Sequence, residues 1–507
     1  MDKTEQITNI ATKRGFFFPS AEIYGGKAGF WTYGHLGLLI KQRFENLWRD
    51  YFLSLSDNYF EIEDCNILPK DVFKSSGHLD NFNDPLTECA SCHFRFRADQ
   101  LIEDELKIRA EGLGNEDMDK LIKENKLKCP RCGSNLMPVK WFNMMFDVKV
   151  GVIGDDVMYL RPETAQAPYL AFKREFLALR EKIPFGLAVI GKAFRNEISP
   201  RQAFFRLREF TQAELQIFFN PHDIDKADRW NEVKNYKLKI SFVKDKGEKI
   251  IEISCEDLNK KLWIPKFYVY HLAKIQQFYL DILKIDKEKF RFRELSDKEK
   301  AFYNKVHFDI ELFLETLGGF KEVAGLHYRT DHDLKGHQKG SKEKLEVNIG
   351  NKKIIPHVLE LSFGIDRNVW ALLDIFYKEE IVEGEKRSLF LFPSTLAPLD
   401  AAVFPLVSND DNIVKNSKDI YNLLRSSKFK VVYDESGSIG RRYRRIDEVG
   451  IKYGITIDFD SLKQNDVTFR DRDSMKQIRV KINDLNKTLS ELLCGTIRFE
   501  NAGKLIK

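Results

Sequence analysis

Phe194-Arg195-Asn196-Glu197-Ile198-Ser199-Pro200-Arg201, followed by Phe205-Arg206-Leu207-Arg208-Glu209-Phe210-Thr211-Gln212-Ala213-Glu214, packs arginine, glutamate and phenylalanine into one short region. Such a density is foreign to a plain core, where an unpaired charge is very costly. Two solvated strands with salt-bridged faces are the bland alternative. The alternation tells against them, because the charges share short strands with Phe194, Phe205 and Phe210. One face is therefore expected to line a polar cleft. Arginine forks suit phosphate oxygens, carboxylates suit an ammonium, and a phenyl ring can stack on a base.

Outward from this run, Ala188-Val189-Ile190 and Ile217-Phe218-Phe219 read as strands, and Arg161-Pro162-Glu163-Thr164-Ala165-Gln166 adds further charge upstream. Trp31 to Phe52 reads as a glycine turn and a helix with Leu39, Phe44, Leu47, Trp48 and Tyr51 mostly on one side. The chain has 507 residues, a soft prior of about two to four domains. Its 82 basic and 77 acidic side chains leave +5, which excludes a polybasic wrapper but not a local nucleic-acid face. With 43% hydrophobic and 31% charged residues it can bury large cores. No apolar run approaches the ~20 residues of a membrane span, and the start, Met1-Asp2-Lys3-Thr4-Glu5, is polar. A cytoplasmic protein without membrane contact is expected.

From 87 to 139 the chain is charged and carries two C-x-x-C pairs, Cys89/Cys92 and Cys129/Cys132, so it reads as an inserted module. Two such knuckles suit a tetrahedral, structural zinc, since four thiolates leave no open position for substrate; ordinary reduced thiols are the alternative. Cys65, Cys255 and Cys494 stand alone. A lysine-rich segment, 220–304, reads as a second insertion, and 378–388 as a linker. Beyond Pro393 apolar strands at 403–407, 430–433 and 455–459 alternate with helical stretches, an α/β pattern. Residues 428–481 hold 13 basic and 9 acidic side chains. On composition alone, Arg441 to Arg445 is a solvated basic face.

Together these motifs resemble the glycyl-tRNA synthetases of the dimeric class II type over nearly the whole chain. Phe194 to Glu214 is similar to the second class II signature, and His357-Val358-Leu359-Glu360-Leu361-Ser362-Phe363-Gly364-Ile365-Asp366-Arg367 to the third. Arg161 to Gln166 resembles a signature of the glycine enzymes; Ser76-Gly77-His78, Arg329 to Leu334 and His337 also match. His35, Phe320, Leu361 and Phe363 depart from the usual pattern without removing a proposed catalytic charge.

The resemblance implies an α+β fold: a catalytic domain over 1–385, built on an antiparallel sheet flanked by helices, and an α/β anticodon-binding domain over 390–507. It implies ATP, glycine and tRNA(Gly) as partners, magnesium with the ATP, and a homodimer. Arg195, Glu197 and Arg367 are the implied catalytic residues. ATP is expected on Arg195, Asn196, Glu197, Phe205, Arg206, Leu207, Arg208, Glu209, Phe210, Glu322, Val323, Gly364, Ile365, Asp366 and Arg367. In this assignment Phe205 stacks on adenine, Arg367 faces the far phosphates, and Glu322 and Glu360 support the magnesium. Glycine is expected among Arg97, Glu163, Phe210, Thr211, Gln212, Ala213, Glu214, Glu360, Ser362 and Gly364. A pocket closed around glycine rejects larger amino acids by sterics, so no editing domain is expected. The resemblance also turns the basic helix, Arg441, Arg442, Arg444 and Arg445, toward RNA contact.

Overall fold

The computed structural model describes residues 2–506 except 109, 111, 153, 155, 201, 202, 244–248, 297–304, 351 and 383. Arg201 and parts of the 220–304 segment therefore lie outside the described residues. Among those described, nine strands form the principal sheet: β1 (Tyr59–Glu61), β2 (Phe185–Phe194), β3 (Glu209–Phe219), β4 (Lys237–Ser241), β5 (Ile250–Ser254), β6 (Phe290–Glu294), β7 (His307–Leu314), β8 (Gly319–Thr330) and β9 (His357–Gly364). Their order is β5-β4-β6-β7-β8-β9-β3-β2-β1. The central pairs are antiparallel, and only β2–β1 and β4–β6 run parallel. With its flanking helices this is the expected α+β architecture.

The helix His35–Phe52 buries Leu36, Ile40, Phe44, Trp48 and Phe52, a strict i, i+4 row, against the sheet. The sequence reading had Phe44 and Trp48 right, whereas Leu39, Leu47 and Tyr51 flank the row and are only half-buried. The first turn of this helix lies on the Gly15–Phe16 backbone. A Cβ at Gly37 would stand 1.9 Å from the Phe16 carbonyl oxygen, so only glycine permits the approach.

Two readings of the chain's organisation change. The 220–304 segment is no separate module: β4, β5 and β6 extend the principal sheet, and Val233, Leu238, Leu258, Leu272 and Phe290 join the main core. Most of its described lysines are exposed or half-buried on short amphipathic elements and obscured the pattern, although Lys239 and Lys274 are buried. Residues 378–388 are not a linker but most of a hairpin, Tyr377–Val382 with Glu385–Phe390, whose charges are paired across it, Glu380 with Arg387 and Glu379 with Lys386.

The cysteine-bearing module has a three-stranded sheet, with Asn83–Glu88 between Arg95–Arg97 and Lys140–Asn143, and two helices, Ala98–Leu106 and Asn115–Glu124. It has its own small core around Ala98, Ile102, Met118 and Ile122. The C-terminal region holds six strands, β10 (Ala401–Pro405), β11 (Val431–Tyr433), β12 (Tyr453–Ile457), β13 (Asp466–Asp471), β14 (Gln477–Lys481) and β15 (Lys504–Ile506), in the order β11-β10-β12-β13-β14-β15. Its first three strands are parallel and the rest antiparallel.

The N-terminal helix, Lys3–Arg14, touches all the parts it passes. Lys3 pairs with Asp374 of the main body at 3.1 Å. Gln6 donates to Glu379 of the hairpin at 3.2 Å, and Arg14 donates to Glu448 of the C-terminal region at 2.6 Å. At the same joint Arg387, 2% exposed, donates to Asp447, which also accepts from Arg470.

Candidate active site

The register of three central strands builds the floor. Glu214 of β3 lies opposite Ser362 of β9, and Gln216 opposite Glu360; on the other side of β9, Gly325 and His327 of β8 face the same two residues. Residues opposite one another share a face, so the period-two alternation gathers Gln212, Glu214, Gln216, Glu360, Ser362 and His327 on one side. Arg329, two residues beyond His327, continues the same face up to the register shift between Tyr328 and Thr330.

Arg329 is the hub of the acidic end. It is 1% exposed and donates through Nε and Nη2 to both oxygens of Asp333, at 2.9 and 3.0 Å. Its Nη1 donates to Glu360 Oε2 at 2.8 Å, and its Nη2 lies 3.5 Å from Glu163 Oε1. Glu163 also accepts from Gln166 at 2.9 Å and has His78 Nε2 3.5 Å away. Burial raises its proton affinity, but Arg329 and His78 outweigh that and hold its carboxyl well below the usual range. Glu214 accepts from Ser362 Oγ at 2.6 Å and Thr164 Oγ1 at 2.7 Å. Burial and then the neighbouring Glu163 push it up. Glu360 is pushed up to about 8, by burial first and by Glu214 and Glu163 next, despite Arg329. Three carboxylates, Glu163, Asp333 and Glu360, thus share one guanidinium, with Glu214 beside them. The group is short of positive charge.

At the other end of the same cavity stand Arg195, Phe205, Arg206, Phe210, Glu322 and Arg367. Arg195 donates through Nε to the Pro162 carbonyl at 3.1 Å, and its guanidinium lies between the Phe82 and Phe210 rings, 5.4 and 5.2 Å from their centroids. That fixes its orientation without neutralising its charge. Arg367 pairs with Glu322 at 2.9 Å and covers Phe205 at 5.6 Å. A flat ring sandwiched between two faces needs about 7 Å, twice a van der Waals contact, more than the 5.6 Å between Phe205 and Arg367 leaves. Glu197 Oε2, Thr211 Oγ1 and Gln212 Oε1 line the cavity, are buried and have no hydrogen-bond partner among the described residues. Such groups are costly unless a ligand satisfies them.

The cavity also takes in Leu207, Glu163, Glu214, Val323, Glu360, Ser362, Gly364 and Asp366 from the sequence assignment. Asp366 accepts from Tyr33 Oη and from the Thr211 backbone, tying the helix Ile365–Phe376 to β3. Arg208 donates to the Glu197 and Ala28 carbonyls, which makes it a brace of the loop. Asn196 is held through its backbone N–H to the Met144 carbonyl, Glu209 pairs with Lys192, and Ala213 and Ile365 are buried in the core. Arg97 is spent on Asp84 and Asp99, at 3.1 and 2.5 Å, and does not line the cavity. Sequence reasoning gave no role to Arg329, Asp333, His78, His337 and Thr164, although it singled out their motifs, and it missed Gln216 and His327 altogether.

Comparison with known proteins agrees with this geometry. The family described as tRNA synthetase class II core domain (G, H, P, S and T) matches residues 148–376, and the anticodon binding domain matches 400–492. The glycine–tRNA ligase of Pyrococcus horikoshii is 39% identical over 97% of this chain and 99% of its own length. That of Methanothrix thermoacetophila is 35% identical over the full length of both. The chain belongs to the glycine–tRNA ligase family. Relative to that family's expected layout, the described C-terminal domain corrects one assignment. Arg442 is 1% exposed and donates to the Pro405, Glu435 and Gly437 carbonyls, so it is a structural strut and not an RNA contact. Arg444 and Arg445 are engaged with Glu385 and Asp434, and only Arg441 of the four is exposed.

The four thiolates of the glycine–tRNA ligase chain's cysteine module do come together. All lie within 4.8 Å of one another, with Cys89–Cys132 and Cys92–Cys129 Sγ separations of 3.4 and 3.7 Å. A tetrahedron with Zn–S bonds of about 2.3 Å has edges of about 3.8 Å, so the donor set fits zinc. No helix is long and apolar enough to cross a membrane among the described residues.

Removal of Arg329 strands Asp333, Glu163 and Glu360 together in a buried site. Arg329→Met is expected to cost about 3–5 kcal/mol, read as a lower midpoint in urea unfolding. An unchanged midpoint would show that the hub is not structural.

Proposed function

We propose that the cavity activates glycine with ATP to glycyl-adenylate and transfers the glycyl group to the 3'-terminal ribose of tRNA(Gly), releasing AMP and pyrophosphate. The observation that carries this reading is the pairing, in one cavity, of a cation-deficient carboxylate cluster with a fixed arginine at the far end. A glycine ammonium supplies the missing positive charge among Glu163, Glu214 and Glu360, with Ser362 beside it. Its carboxylate is then free to attack the α-phosphorus. Negative charge builds on the phosphate oxygens as the bond to pyrophosphate breaks, and Arg195, already oriented by Pro162, Phe82 and Phe210, stabilises that charge without reorganising. Arg206 and Arg367 take the outer phosphates, and Glu197 with Phe205 complete the nucleotide site. No covalent enzyme intermediate is required.

Magnesium neutralises triphosphate charge when bound. Glu322 would hold it, being half-exposed and beside Arg367. Glu360 fits that role poorly, because its Oε2 is already taken by Gln216 and Arg329. Zinc on Cys89, Cys92, Cys129 and Cys132 would cross-link the two knuckles of the module. The C-terminal domain meets the anticodon arm, with Arg441 as the available cation of its helix. We place the enzyme in the cytoplasm as a homodimer, as its family resemblance implies.

ATP–pyrophosphate exchange screened across the amino acids tests the assignment: exchange with glycine alone is expected, and preference for another amino acid would overturn it. The pH dependence follows from the cluster. Glu360 must lose its proton to receive an ammonium, so the apparent KM for glycine should fall as pH rises from about 6 towards about 8 while the KM for ATP does not follow it. A flat glycine profile would remove Glu360 from the ammonium site. For the cysteine module, about one zinc per chain is expected by metal analysis, lost together with thermal stability in Cys92→Ser. Full stability in zinc-free protein would assign the cysteines to bare thiols.

A further inference from the structure

Arg206 stands where the nucleotide cavity meets two neighbouring cavities, and it lines all three. A guanidinium so placed needs an anchor. The carboxylate nearest to it, Glu197, is 3.8 Å away, beyond hydrogen-bond reach. The anchor comes instead from the cysteine-bearing module. With the Gln100 amide oriented by its network so that its oxygen faces Arg206, that oxygen accepts from Nη2 at 2.6 Å and Nη1 at 2.9 Å. Among the described residues it is the one hydrogen-bond acceptor of this guanidinium.

Gln100 is itself held. Its backbone N–H donates to Asp99 Oδ1 at 2.8 Å, and Asp99 is gripped by both arms of Arg97, whose Nη1 also reaches Asp84. The strand Arg95–Arg97 begins three residues after Cys92, and the Arg95 carbonyl accepts from Ser199 Oγ at 2.9 Å, on the same loop that carries Arg206. Arg97, expected at the substrate, instead fixes the residue that fixes Arg206. The acceptor type is informative. A carboxylate in this position would orient the guanidinium and cancel its charge. A neutral amide orients it and leaves the charge for a phosphate.

We propose that Gln100 is a positioning residue for the ATP reaction, holding Arg206 on the outer phosphates through a fork braced by Arg97 and Asp99. This rests on the assignment of the cavity to ATP. The test is the exchange reaction with Gln100→Ala, Gln100→Met, Arg206→Ala and the Gln100→Ala/Arg206→Ala double variant of the full chain. Gln100→Ala and the isosteric Gln100→Met are each expected to raise the KM for ATP about five- to tenfold, the scale of one charge-assisted hydrogen bond. The KM for glycine and the melting temperature stay unchanged. In the Arg206→Ala background, Gln100→Ala adds less than about twofold, because a residue that acts only through Arg206 has nothing left to act on. Multiplying effects, or an unchanged KM for ATP in both single Gln100 variants, would overturn the proposal while leaving the ATP site in place. An unchanged KM for ATP in Arg206→Ala would overturn both.

Discussion

One buried guanidinium sets the terms for the catalytic half of this molecule. Arg329 joins Asp333 on the helix His332–Ser341, Glu360 on β9 and Glu163 on the loop before the helix Gln166–Ala178. Three separate stretches of chain must be in place before its charge is balanced, and balancing it leaves the carboxylates still in excess. The site is thus left short of positive charge, and burial of such unbalanced carboxylates is ordinarily costly. The β3–β9 register is what makes this possible, since a slip of one residue would send Glu214 and Glu360 to the opposite face of the sheet.

The opposite end of the cavity obeys a different logic. Arg195 is held by a carbonyl and two rings, Arg206 by an amide, and only Arg367 by a carboxylate. Neutral partners orient positive charge without consuming it. Arg208, by contrast, donates to two backbone carbonyls and serves the loop. These four arginines have distinct duties, set by whether their acceptors face the cavity or the backbone.

How much of this was legible follows from what carries the signal. The charged aromatic run and the Glu360–Arg367 stretch were legible because their chemistry is local, and the strands they occupy follow a two-residue period. Arg329 lay in a motif already singled out, yet its role was hidden, because its partners Glu163, Asp333 and Glu360 come from three separate stretches of chain. Arg442 misled for the opposite reason: a basic helix reads as a surface, and its burial depends on carbonyls of Pro405, Glu435 and Gly437 that no helical pattern foretells. The hairpin Tyr377–Phe390 resembled a linker because its stabilising pairs lie across strands and look, along the sequence, like mere polarity. The sheet extension by β4–β6 was obscured in the same way by exposed lysines.

The N-terminal helix carries a consequence for how the protein comes into being. The helix Lys3–Arg14 finds its partners far along the chain. Arg14 cannot close on Glu448 until 434 more residues have been made, and Lys3 waits for Asp374. With so great a sequence separation, loop-closure entropy keeps this segment undocked while the rest of the chain condenses. This helix is therefore a latch that closes late, sealing main body, hairpin and C-terminal domain together once all three exist.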